Sequence, residues 1–378
     1  MKDVVLAGYA RSPFHFASKG AFVKVRPDDL ASAVVKGLVE RTGVNPDDIE
    51  DLALGCAFPE GEQGFNMARL VVLMAGLPIS VAGVTINRFC GSSMQAIHMA
   101  AGAIQMGAGE AYICAGVESM SRVPMSGFNP MPNTALYQTM PEAYMSMGET
   151  AENVGREYNI SREEQEMFAL DSQQKALAAQ SDGRLAGEIV PIQANGSNID
   201  TDGCVRPDTS LEGLAGLKPA FDEKGTVTAG TASPLTDGAA ATLVCTAEYA
   251  AANNLAPLAR IASFAVSGCQ PETMGLGPIF SSRKALERAG ISAGDLNVVE
   301  INEAFATQSI ASIRDLELDP STVNIDGGAI AIGHPLGATG ARITGKAAQV
   351  LQREGGRWAL STQCIGGGQG IATVLEAV

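Results

Sequence analysis

The chain has 378 residues, of which 46% are hydrophobic and 18% are charged, proportions typical of a globular protein with two or three domains and large cores, not of a disordered chain. Its formal net charge of −15 disfavours nucleic acid or an anionic membrane as a general partner, although local cations and helix N-termini can still bind a phosphorylated small molecule. No run of about 18 apolar residues, the length of a transmembrane helix, is present.

Short apolar strands alternate with helical patterns along the chain. The first predicted helix carries Leu30, Val34 and Leu38 on one face, and a later one carries Met94 and Ile97 in the same way. The predicted strands are Val4–Ala7, Leu52–Gly55, Val84–Ile86, Ala111–Cys114, Val298–Ile301, Val323–Ile325, Trp358–Thr362 and Ile371–Leu375. This alternation predicts an α/β fold in which helices cover the sheets.

The chain repeats part of itself over a long interval. Glu40–Arg41 and Glu287–Arg288 lie 247 residues apart in similar surroundings, and the same interval separates Asp48 from Asp295. The other paired segments, in the same order, are Val84–Asn87 with Val323–Asp326 and Tyr112–Gly116 with Thr362–Gly366. Chance similarity between βα units is the alternative, but the preserved order favours two similar α/β halves.

We predict that the halves comprise residues 1–250 and 251–378, and that the first contains an inserted region of about 117–233. This region is rich in methionine and aromatic residues, and Ser161–Glu164 is a capping-box pattern that opens a helix within it. Such an insert is able to lie over a functional site.

The seven cysteines are odd in number and include no CxxC pair. A disulfide framework and a structural zinc site are therefore not expected, and most of the thiols are predicted to be buried packing residues in a reducing compartment. The first apolar run, Val4–Ala7, is too short for a signal peptide, and the final Leu375–Val378 is not a peroxisomal signal. These features predict a cytoplasmic protein.

Cys90 is the first candidate for a catalytic group. It follows the predicted strand Val84–Ile86 and opens a predicted helix, where the helix dipole stabilises a thiolate, the nucleophilic form of the side chain. Gly91 removes side-chain bulk beside the thiol, and Ser92 and Ser93 are suited to capping the helix. A buried packing cysteine is the alternative, and the local pattern does not decide between the two.

His334 is one of three histidines and lies in a glycine-rich turn, Gly333–Gly337, before a helix predicted to begin near Thr339. Such a rigid turn can hold an imidazole at a fixed distance from a thiol, whose proton it takes. A hydrogen-bonded turn histidine is the alternative. His98, within a helix, is predicted to be a packing or interface residue, and His15 is given no role.

Cys364 follows the predicted strand Trp358–Thr362 and precedes three glycines, Gly366–Gly368. Consecutive glycines can turn backbone N–H groups toward one point, as an enolate or a thioester oxyanion requires. The thiol itself can carry a proton to or from carbon. A free cysteine beside a phosphate loop is the alternative, which the lack of a Walker lysine weakens.

The pentapeptide Asn302–Ala306 follows the predicted strand Val298–Ile301. The Asn302 amide, at the end of a strand, can hold a water molecule or donate to an oxyanion. Glu303 is either an active-site carboxylate or an acid at the start of a helix. Taken alone, the pentapeptide does not decide between these roles.

Taken together, these segments resemble the thiolase family, the acetyl-CoA acyltransferases and acetyltransferases, over essentially the whole chain. The motifs that carry the resemblance, in the family's order, are Asn87–Ala96 around Cys90, Asn302–Ala306, Gly327–Arg342 around His334, and Cys364–Gly370. The resemblance implies the α/β thiolase fold, with two similar βαβ-type halves in a layered α-β-α-β-α arrangement and a loop domain inserted in the first.

The resemblance also implies a role for each candidate. Cys90 would be the nucleophile that becomes acylated, His334 would activate it, and Cys364 would act as acid and base at the α-carbon. Asn302, through a water, would form one oxyanion site with His334, and the backbone N–H groups of Cys90 and Gly366 would form the other. The implied reaction is thiolysis of a 3-oxoacyl-CoA by coenzyme A, or the reverse Claisen condensation, in a ping-pong scheme without a metal or a permanently bound cofactor.

Further positions resemble the family's coenzyme A surface. Arg206 would lie against the adenine, with Leu217 and Phe221 as apolar contacts. Ser233 would bond a pantetheine amide. The remaining predicted contacts with coenzyme A or its acyl chain are Met147, Met274, Ala304 and Phe305. For each methionine, ordinary core packing is the alternative.

Departures from the family's pattern bear on the subtype. The run Gly91–Met94 looks like the fatty-acid-degrading thiolases, and Ser146 stands where biosynthetic acetoacetyl-CoA enzymes often have histidine. The expectation is therefore a broad 3-ketoacyl-CoA thiolase of β-oxidation, with a biosynthetic acetoacetyl-CoA thiolase as the alternative.

Three more remote alternatives and several partners complete the expectations. A ketoacyl synthase would usually need a second histidine where Cys364 stands, and a cysteine hydrolase would use Cys90 and His334 with water. A non-catalytic, thiolase-like lipid-binding protein would have no need of the complete set. The expected partners are acyl-CoA and coenzyme A, further copies of the chain in a homodimer or homotetramer, and a β-oxidation enzyme, but neither nucleic acid nor a membrane.

Overall fold

In residues 2–378, the computed structural model contains twelve β-strands and twelve α-helices. The strands are β1 Val4–Arg11, β2 His15–Phe16, β3 Ile49–Gly55, β4 Ala82–Ile86, β5 Ala111–Ser119, β6 Ile192–Ala194, β7 Ser197–Ile199, β8 Thr236–Thr246, β9 Ala259–Gly268, β10 Val298–Ile301, β11 Trp358–Ile365 and β12 Gln369–Glu376. The helices are α1 Pro27–Thr42, α2 Met67–Met74, α3 Ser92–Gln105, α4 Thr134–Thr139, α5 Met147–Glu157, α6 Arg162–Ser181, α7 Leu211–Ala215, α8 Ala247–Ala252, α9 Gly277–Ala289, α10 Ala306–Asp315, α11 Ala329–Ile332 and α12 Leu336–Glu354.

One mixed sheet runs through the molecule in the order β4-β3-β5-β8-β1-β9-β12-β11-β10, and β2 pairs with β8 beside it. The β1–β9 pair in the middle is antiparallel, with Val5 opposite Arg260. On each side of it the sheet continues with antiparallel strands and ends in parallel ones, β3 with β4 and β5 on one side and β10 with β11 on the other. The two parts of the sheet therefore have corresponding strand orders, as the sequence repeat predicts.

Helices cover both parts of the sheet and form a layered α/β arrangement. The central helices α3 and α12 pack against each other and contact strands from both parts. On the outside, α1 packs on β1, β5 and β8, and α9 packs on β9, β11 and β12. The three largest apolar clusters lie between these layers, so most of the hydrophobic burial that stabilises the fold is located there.

The predicted helices form for the reasons that their sequences indicate. In α1, Pro27 occupies the first turn, and Gly43, at a φ of 68°, ends the helix. Its predicted apolar face is buried, as is that of α3. Ser161 and Glu164 form the predicted capping box at the start of α6.

Three features of the secondary structure differ from the prediction. The segment Val323–Ile325 is not a strand, because Val323 makes a single bridge to Val299 and Asn324 has a left-handed φ of 45°. The helix after His334 begins at Leu336 instead of near Thr339. The long strands β8 and β9 were not predicted.

None of the helices in residues 2–378 combines the length and the apolar character that a membrane span requires.

The segment between β5 and β8 contains α4 to α7 and the small β6–β7 sheet. Within it, α6 packs against α10 and α11 of the other part of the molecule. The predicted division after residue 250 falls inside α8, Ala247–Ala252. That division and the bounds of about 117–233 for the insert stay predictions.

A buried ionic network connects the insert to the central helix α12. Arg11 makes two hydrogen bonds of 2.7 Å to Asp202 and one of 2.7 Å to Glu188. Lys346 of α12 lies 3.2 Å from Glu188 and 2.7 Å from Asp326. All five side chains are buried. Because a buried charge is tolerated only with partners, the network keeps α12 in register with β1 and the insert.

Candidate active site

Cys90 lies in a strained turn between β4 and α3. The preceding residue, Phe89, has a left-handed φ of 43°, and its backbone N–H donates to Asn87 Oδ1 at 2.9 Å. The Cys90 carbonyl accepts a hydrogen bond from the Gln363 side chain. A left-handed conformation is costly for phenylalanine, so these bonds hold the turn in place.

Glycine is required at position 91 because the turn that contains Cys90 lies directly against β11. A Cβ atom at Gly91 would come within 2.6 Å of Ile365 Cδ1. The expected capping by the two serines is wrong. The Ser92 hydroxyl donates instead to Phe89 O at 2.6 Å, and Ser93 Oγ accepts from Ala341 N at 2.8 Å. The Ser92 bond closes the turn before α3, and the Ser93 bond joins the starts of α3 and α12.

The resting Cys90 side chain is a neutral thiol. Burial raises the pKa of Cys90 to about 12, an effect that the backbone N–H of Gly366 opposes and the charge of Glu118 reinforces. The helix N-terminus alone predicted a stabilised thiolate, but the loss of solvent outweighs the dipole here. Cys90 is 7% exposed, so ionisation requires a proton acceptor inside the site.

Cys364 and Gly366 lie at the end of β11, close to the Cys90 sulfur. The Gly366 N–H is close enough to that sulfur to lower the pKa of Cys90, and the negative charge of a Cys90 thiolate is close enough to raise the pKa of Cys364. Burial is the larger cause of that raised pKa. Gly367 and Gly368 adopt left-handed φ values of 80° and 86° in the turn to β12. The chain therefore brings the two sulfurs, 90 and 364, into one site.

His334 lies in the turn between α11 and α12, directly after Gly333, whose φ is 110°. Its backbone N–H donates to Thr236 Oγ1 at 3.0 Å. The ring is fixed at both nitrogens: Nδ1 lies 2.6 Å from Thr339 Oγ1, and Nε2 lies 3.3 Å from Asn302 Nδ2. Burial lowers the pKa of His334 to about 3, with a further contribution from the charge of Arg342. The imidazole is therefore neutral and can accept a proton.

Asn302 follows β10 and is completely buried beside His334. Its backbone N–H donates to Thr362 O at 3.0 Å, which fixes the position of the residue. The Oδ1 atom has no hydrogen-bond partner in the described structure. Because buried polar atoms are normally paired, this oxygen is suited to accept from a bound water or from the substrate.

Glu303 connects three elements behind the site. Its carboxylate accepts hydrogen bonds from Ser172 Oγ at 2.6 Å, Asn324 Nδ2 at 2.8 Å and Ile330 N at 3.1 Å. Burial raises the pKa of Glu303. The sequence left two roles open for Glu303, an active-site carboxylate and an acid at the start of a helix. These contacts support neither role. They indicate a structural link between α6 and the turn before His334.

Glu118 was not predicted from the sequence, although it connects the segment after β3 to the start of α12. It lies on β5, where every residue is buried. Its carboxylate accepts hydrogen bonds from Ala57 N at 2.8 Å, Gln63 Nε2 at 2.7 Å and Gly337 N at 2.9 Å. A glutamate in an apolar strand is the sequence signal that identifies such a residue.

An apolar cluster includes Cys364 and surrounds its side chain. Besides Cys364, its members include the predicted contacts Met147, Met274, Ala304 and Phe305. A Cβ atom at Gly366 would lie 3.4 Å from Met147 Sδ. These residues form an apolar surface next to both sulfurs, which is suitable for an acyl chain.

Ser233 and Phe221 lie on the same side as this cluster. The backbone N–H and the hydroxyl of Ser233 both donate to Ala304 O, at 3.0 and 3.2 Å. The rings of Phe221 and Phe305 meet edge to face, with centroids 5.8 Å apart. Phe221 and Leu217 are 43% and 37% exposed, so both present apolar surface to solvent near the site.

Arg206 has contacts of a different kind. Its guanidinium lies 5.2 Å from the centroid of the Phe16 ring, and its backbone N–H donates to Gln173 Oε1 at 2.9 Å. Neither contact joins it to Leu217 or Phe221. The assignment of Arg206 to the adenine of coenzyme A, like the other coenzyme A contacts, stays a prediction.

The other two histidines lie outside this group. His98 stacks on Phe264 with ring centroids 4.2 Å apart, and its Nε2 lies 2.8 Å from Thr373 Oγ1. It is the packing residue that the helical pattern indicates. His15 lies 3.1 Å from Thr201 O. In residues 2–378 no cluster of histidine, cysteine and carboxylate side chains is suited to hold a metal ion, and the seven cysteines are free thiols.

Comparison with protein families identifies two matching domains. The family model described as "Thiolase, N-terminal domain" matches residues 4–248, and "Thiolase, C-terminal domain" matches residues 255–377. Together the two matches cover nearly the whole chain.

Named relatives match over their full length. A 3-ketoacyl-CoA thiolase of Bacillus subtilis (strain 168) is 45% identical over 389 aligned residues, which cover 100% of both chains. A 3-ketoacyl-CoA thiolase of Marinomonas sp. (strain MWYL1) is 47% identical over 386 residues, covering 100% of this chain and 98% of the relative. The crystal structure of human mitochondrial 3-ketoacyl-CoA thiolase in complex with CoA superposes with a TM-score of 0.93 at 37% identity, covering 100% of this chain and 98% of that one. The predicted fold is thereby confirmed.

Proposed function

Since this chain belongs to the thiolase family, we propose that it catalyses the coenzyme A-dependent cleavage of 3-oxoacyl-CoA to acetyl-CoA and a shortened acyl-CoA, or the reverse Claisen condensation. The relatives called 3-ketoacyl-CoA thiolase, aligned over their full length, support this reaction. The observation that carries the proposal is the proximity of the Gly366 backbone N–H and of Cys364 to the Cys90 sulfur, since the N–H lowers the pKa of Cys90 and a Cys90 thiolate raises that of Cys364. This arrangement places an oxyanion donor and two thiols around one point.

In the first half-reaction, Cys90 transfers its proton to Nε2 of His334, and its sulfur attacks the 3-oxo carbon of the substrate. The bond between carbons 2 and 3 then breaks, and its electron pair remains on the acetyl-CoA enolate. The Cys364 thiol supplies the proton that converts this enolate to acetyl-CoA. The shortened acyl group stays on Cys90 as a thioester.

In the second half-reaction, the Cys364 thiolate takes the proton of incoming coenzyme A. The coenzyme A sulfur attacks the acyl carbon on Cys90, and the Cys90 thiolate leaves and recovers its proton from His334. The enzyme is thereby returned to its starting state, and the two substrates react in turn, as a ping-pong scheme requires.

Two groups of donors are placed to stabilise the negative charge that forms on oxygen. We assign the Cys90 and Gly366 backbone N–H groups to one oxyanion, and His334 together with a water on Asn302 to the other. The unpaired Oδ1 of buried Asn302 supports the water position, because a water held there donates one hydrogen to Oδ1 and the other to the substrate oxygen.

The neutral resting state has a consequence for activation. Burial raises the pKa of Cys90 and lowers that of His334, so the thiolate–imidazolium pair is unfavourable in the empty site. Substrate binding introduces the carbonyl that accepts the developing charge. We therefore propose that proton transfer accompanies attack on the substrate and does not precede it.

The degradative subtype rests on the relatives and on the run Gly91–Met94, and acyl-chain preference tests it. The experiment measures coenzyme A-dependent cleavage of acetoacetyl-CoA and of longer 3-oxoacyl-CoA substrates. Retained or greater kcat/KM with longer chains supports a 3-ketoacyl-CoA thiolase of β-oxidation. A steep fall beyond the four-carbon substrate supports the biosynthetic acetoacetyl-CoA alternative. Cleavage without consumption of coenzyme A contradicts both.

We propose that a second copy of the chain covers the outer edge of β4. This strand ends the sheet order, so its outer backbone groups are available for pairing. Next to it, Phe65 is 94% and Ile79 is 77% exposed, and large apolar surfaces of this kind mark protein interfaces. Light scattering after gel filtration is expected to give the mass of a dimer or tetramer, and Phe65→Asp combined with Ile79→Asp is expected to shift it toward the monomer. A monomeric parent protein refutes this proposal.

We also propose a cytoplasmic location and association with a further β-oxidation enzyme. Cell fractionation and co-purification with the tagged chain test these two points.

A further inference from the structure

The imidazole of His334 is held at both nitrogens, and the direction of those hydrogen bonds decides which nitrogen carries the hydrogen. Nδ1 lies 2.6 Å from Thr339 Oγ1, and Nε2 lies 3.3 Å from Asn302 Nδ2. A neutral imidazole has one N–H donor and one acceptor nitrogen. Only the acceptor nitrogen can take a proton from a thiol.

The Thr339 hydroxyl has a second neighbour that offers its hydrogen an acceptor other than the His334 ring. Its Oγ1 lies 3.0 Å from the carbonyl oxygen of Pro335. A carbonyl oxygen can only accept, and a hydroxyl has a single hydrogen to donate. With its hydrogen directed to Pro335, the Thr339 oxygen accepts from Nδ1–H of His334.

The contact at the other nitrogen agrees with this direction. The Nδ2 group of Asn302 is a donor, so an Nε2 atom without a hydrogen is a suitable acceptor 3.3 Å away. The opposite tautomer would place two donors against each other. One consistent series of hydrogen bonds therefore runs from Asn302 through His334 and Thr339 to the Pro335 carbonyl.

We propose that Thr339 is a positioning residue that keeps the hydrogen of His334 on Nδ1, so that Nε2 has no hydrogen and can exchange its hydrogen bond from Asn302 for the proton of the nucleophile. This inference rests on the proposed function, in which His334 is the base for Cys90. Because Nδ1 carries a hydrogen in both the neutral and the protonated ring, the same bond to Thr339 serves before and after proton transfer.

The location of Thr339 suits this role. It lies in the first turn of α12 and is completely buried, so water does not compete for the Nδ1 bond. The start of the helix is held by Gly337 N, which donates to Glu118 at 2.9 Å. A residue without a hydroxyl at position 339 would leave Nδ1–H unpaired, which removes the preference for the reactive tautomer.

The first test reads the tautomer directly by 15N NMR of histidine-labelled protein, which contains three histidines. In the wild-type protein we expect Nδ1 of His334 in the protonated range and Nε2 in the unprotonated range. Thr339→Ser keeps the hydroxyl and is expected to keep this pattern, whereas Thr339→Val is expected to populate the tautomer with hydrogen on Nε2. A wild-type ring with its hydrogen on Nε2, as a turned Asn302 amide would produce, overturns the proposal.

Thr344→Val is the matched control. Thr344 is also a buried threonine of α12, and its hydroxyl donates to the carbonyl four residues earlier, Gly340 O, at 2.7 Å. Its other hydroxyl contact is Ser361 Oγ, at 3.1 Å, and not the His334 ring. The Thr344→Val variant therefore shows how far loss of a buried α12 hydroxyl slows the reaction without any change at the imidazole.

The second test measures the rate of acyl-Cys90 formation by mass spectrometry of the intact chain. Thr339→Val is expected to be slower by about tenfold or more, since a general base contributes about 10²–10⁴. Thr339→Ser and Thr344→Val are expected to stay within about threefold of wild type. A Thr339→Val protein as fast as Thr344→Val, or one that is slow with an unchanged tautomer, refutes the positioning role. If the wild-type chain forms no acyl-Cys90, the proposed function fails, and the NMR result still reports on Thr339 separately.

Discussion

Replacement of Glu118 by glutamine tests how a buried carboxylate holds the segment after β3 to the start of α12. Its Oε1 accepts from Phe58 N at 3.2 Å and Gln63 Nε2 at 2.7 Å. Its Oε2 accepts from Ala57 N at 2.8 Å and Gly337 N at 2.9 Å. A glutamine amide keeps one accepting oxygen, so its NH₂ group faces two donors whichever way it is turned.

The expected loss of stability follows from those two bonds. A hydrogen bond to a charged group contributes about 1.5–3 kcal/mol, so two of them contribute about 3–6 kcal/mol. Removal of a buried charge offsets part of this loss, because burial raises the pKa of Glu118 and so makes its ionised form costly. The net expectation is a decrease of about 2–4 kcal/mol in the free energy of unfolding, measured by urea denaturation at neutral pH.

Glu303→Gln provides the matched control for this experiment. Glu303 is also completely buried, but one of its oxygens accepts only from Asn324 Nδ2, at 2.8 Å. A glutamine turned with its NH₂ group toward Asn324 keeps the bonds to Ser172 and Ile330. It therefore loses one bond instead of two, and a smaller decrease is expected. Equal stability losses in the two variants would contradict the reasoning from individual hydrogen bonds.

Glu118→Gln also separates charge from geometry at the nucleophile. The charge of Glu118 contributes to the raised pKa of Cys90, so its removal is expected to speed alkylation of Cys90 by iodoacetamide at pH 8. Acylation by substrate is expected to slow when the NH₂ group is turned toward Gly337 N, because that N–H then has no acceptor and the turn at His334 loosens. Cys90→Ser supplies the background from the other thiols. If alkylation of the Glu118→Gln protein is unchanged or slower, the electrostatic effect of Glu118 is refuted.

Three further predictions concern individual side chains. Cys90→Ser is expected to abolish acyl-enzyme formation from acetyl-CoA, which intact-mass spectrometry measures, and an acylated Cys90→Ser chain contradicts the assignment. Cys364→Ala is expected to leave Cys90 acylatable and to block carbon–carbon bond formation, which a condensation assay measures. Burial raises the pKa of Glu300 from 4.5 to about 7, so the native state binds this proton more tightly than the unfolded chain does. The stability that this group contributes is therefore present below about pH 4.5 and falls as the pH rises toward 7. Glu300→Gln cannot titrate, and calorimetry is expected to show a smaller fall in Tm across that window than in wild type; an identical fall rejects the shifted pKa. Gly366→Ala adds a methyl group 3.4 Å from Met147 Sδ, an ordinary contact, so we expect the variant to fold normally. Its kcat/KM relative to wild type is expected to fall more for long acyl chains than for short ones. An equal decrease for all chain lengths argues against an acyl surface there.

The candidate site residues could be proposed from sequence because each lies next to a local signal. Cys90 follows a strand and precedes a helix, and Cys364 precedes three glycines. The apolar periodicity also predicted the buried faces of α1 and α3. The positions of these side chains relative to one another came from the family resemblance and the repeat, since local patterns carry no information on distant contacts.

The features that were missed depend on tertiary contacts or on an atypical composition. The strand β8, Thr236–Thr246, contains glycine and a run of alanines, which are weak strand formers, and it forms because its two neighbours and the packed helices bury it completely. Glu118 and Thr339 are ordinary residue types whose partners lie far away in the chain or on another face of a turn. The pKa of Cys90 was predicted in the wrong direction because burial cannot be calculated from a helix start alone.

The internal repeat gives the proposed nucleophile and its proposed base corresponding places in the chain. Cys90 lies two residues before the first residue of α3, and His334 lies two residues before the first residue of α12. Each follows a residue with a left-handed φ, Phe89 at 43° and Gly333 at 110°. The two side chains therefore occupy corresponding positions in the two parts of the fold.

The packing of the two central helices then brings these corresponding turns together. Ser93 Oγ accepts from Ala341 N at 2.8 Å, and a Cβ atom at Gly340 would come within 2.3 Å of Met94 N, so the helices are closest near their starts. Both N-termini carry positive dipole ends, and they favour the negative charge that forms between them during catalysis. Duplication of one βα unit followed by close packing of its two copies thus gives the thiol and the imidazole corresponding positions before two packed helices, while the cost of the left-handed residue is small at Gly333 and larger at Phe89.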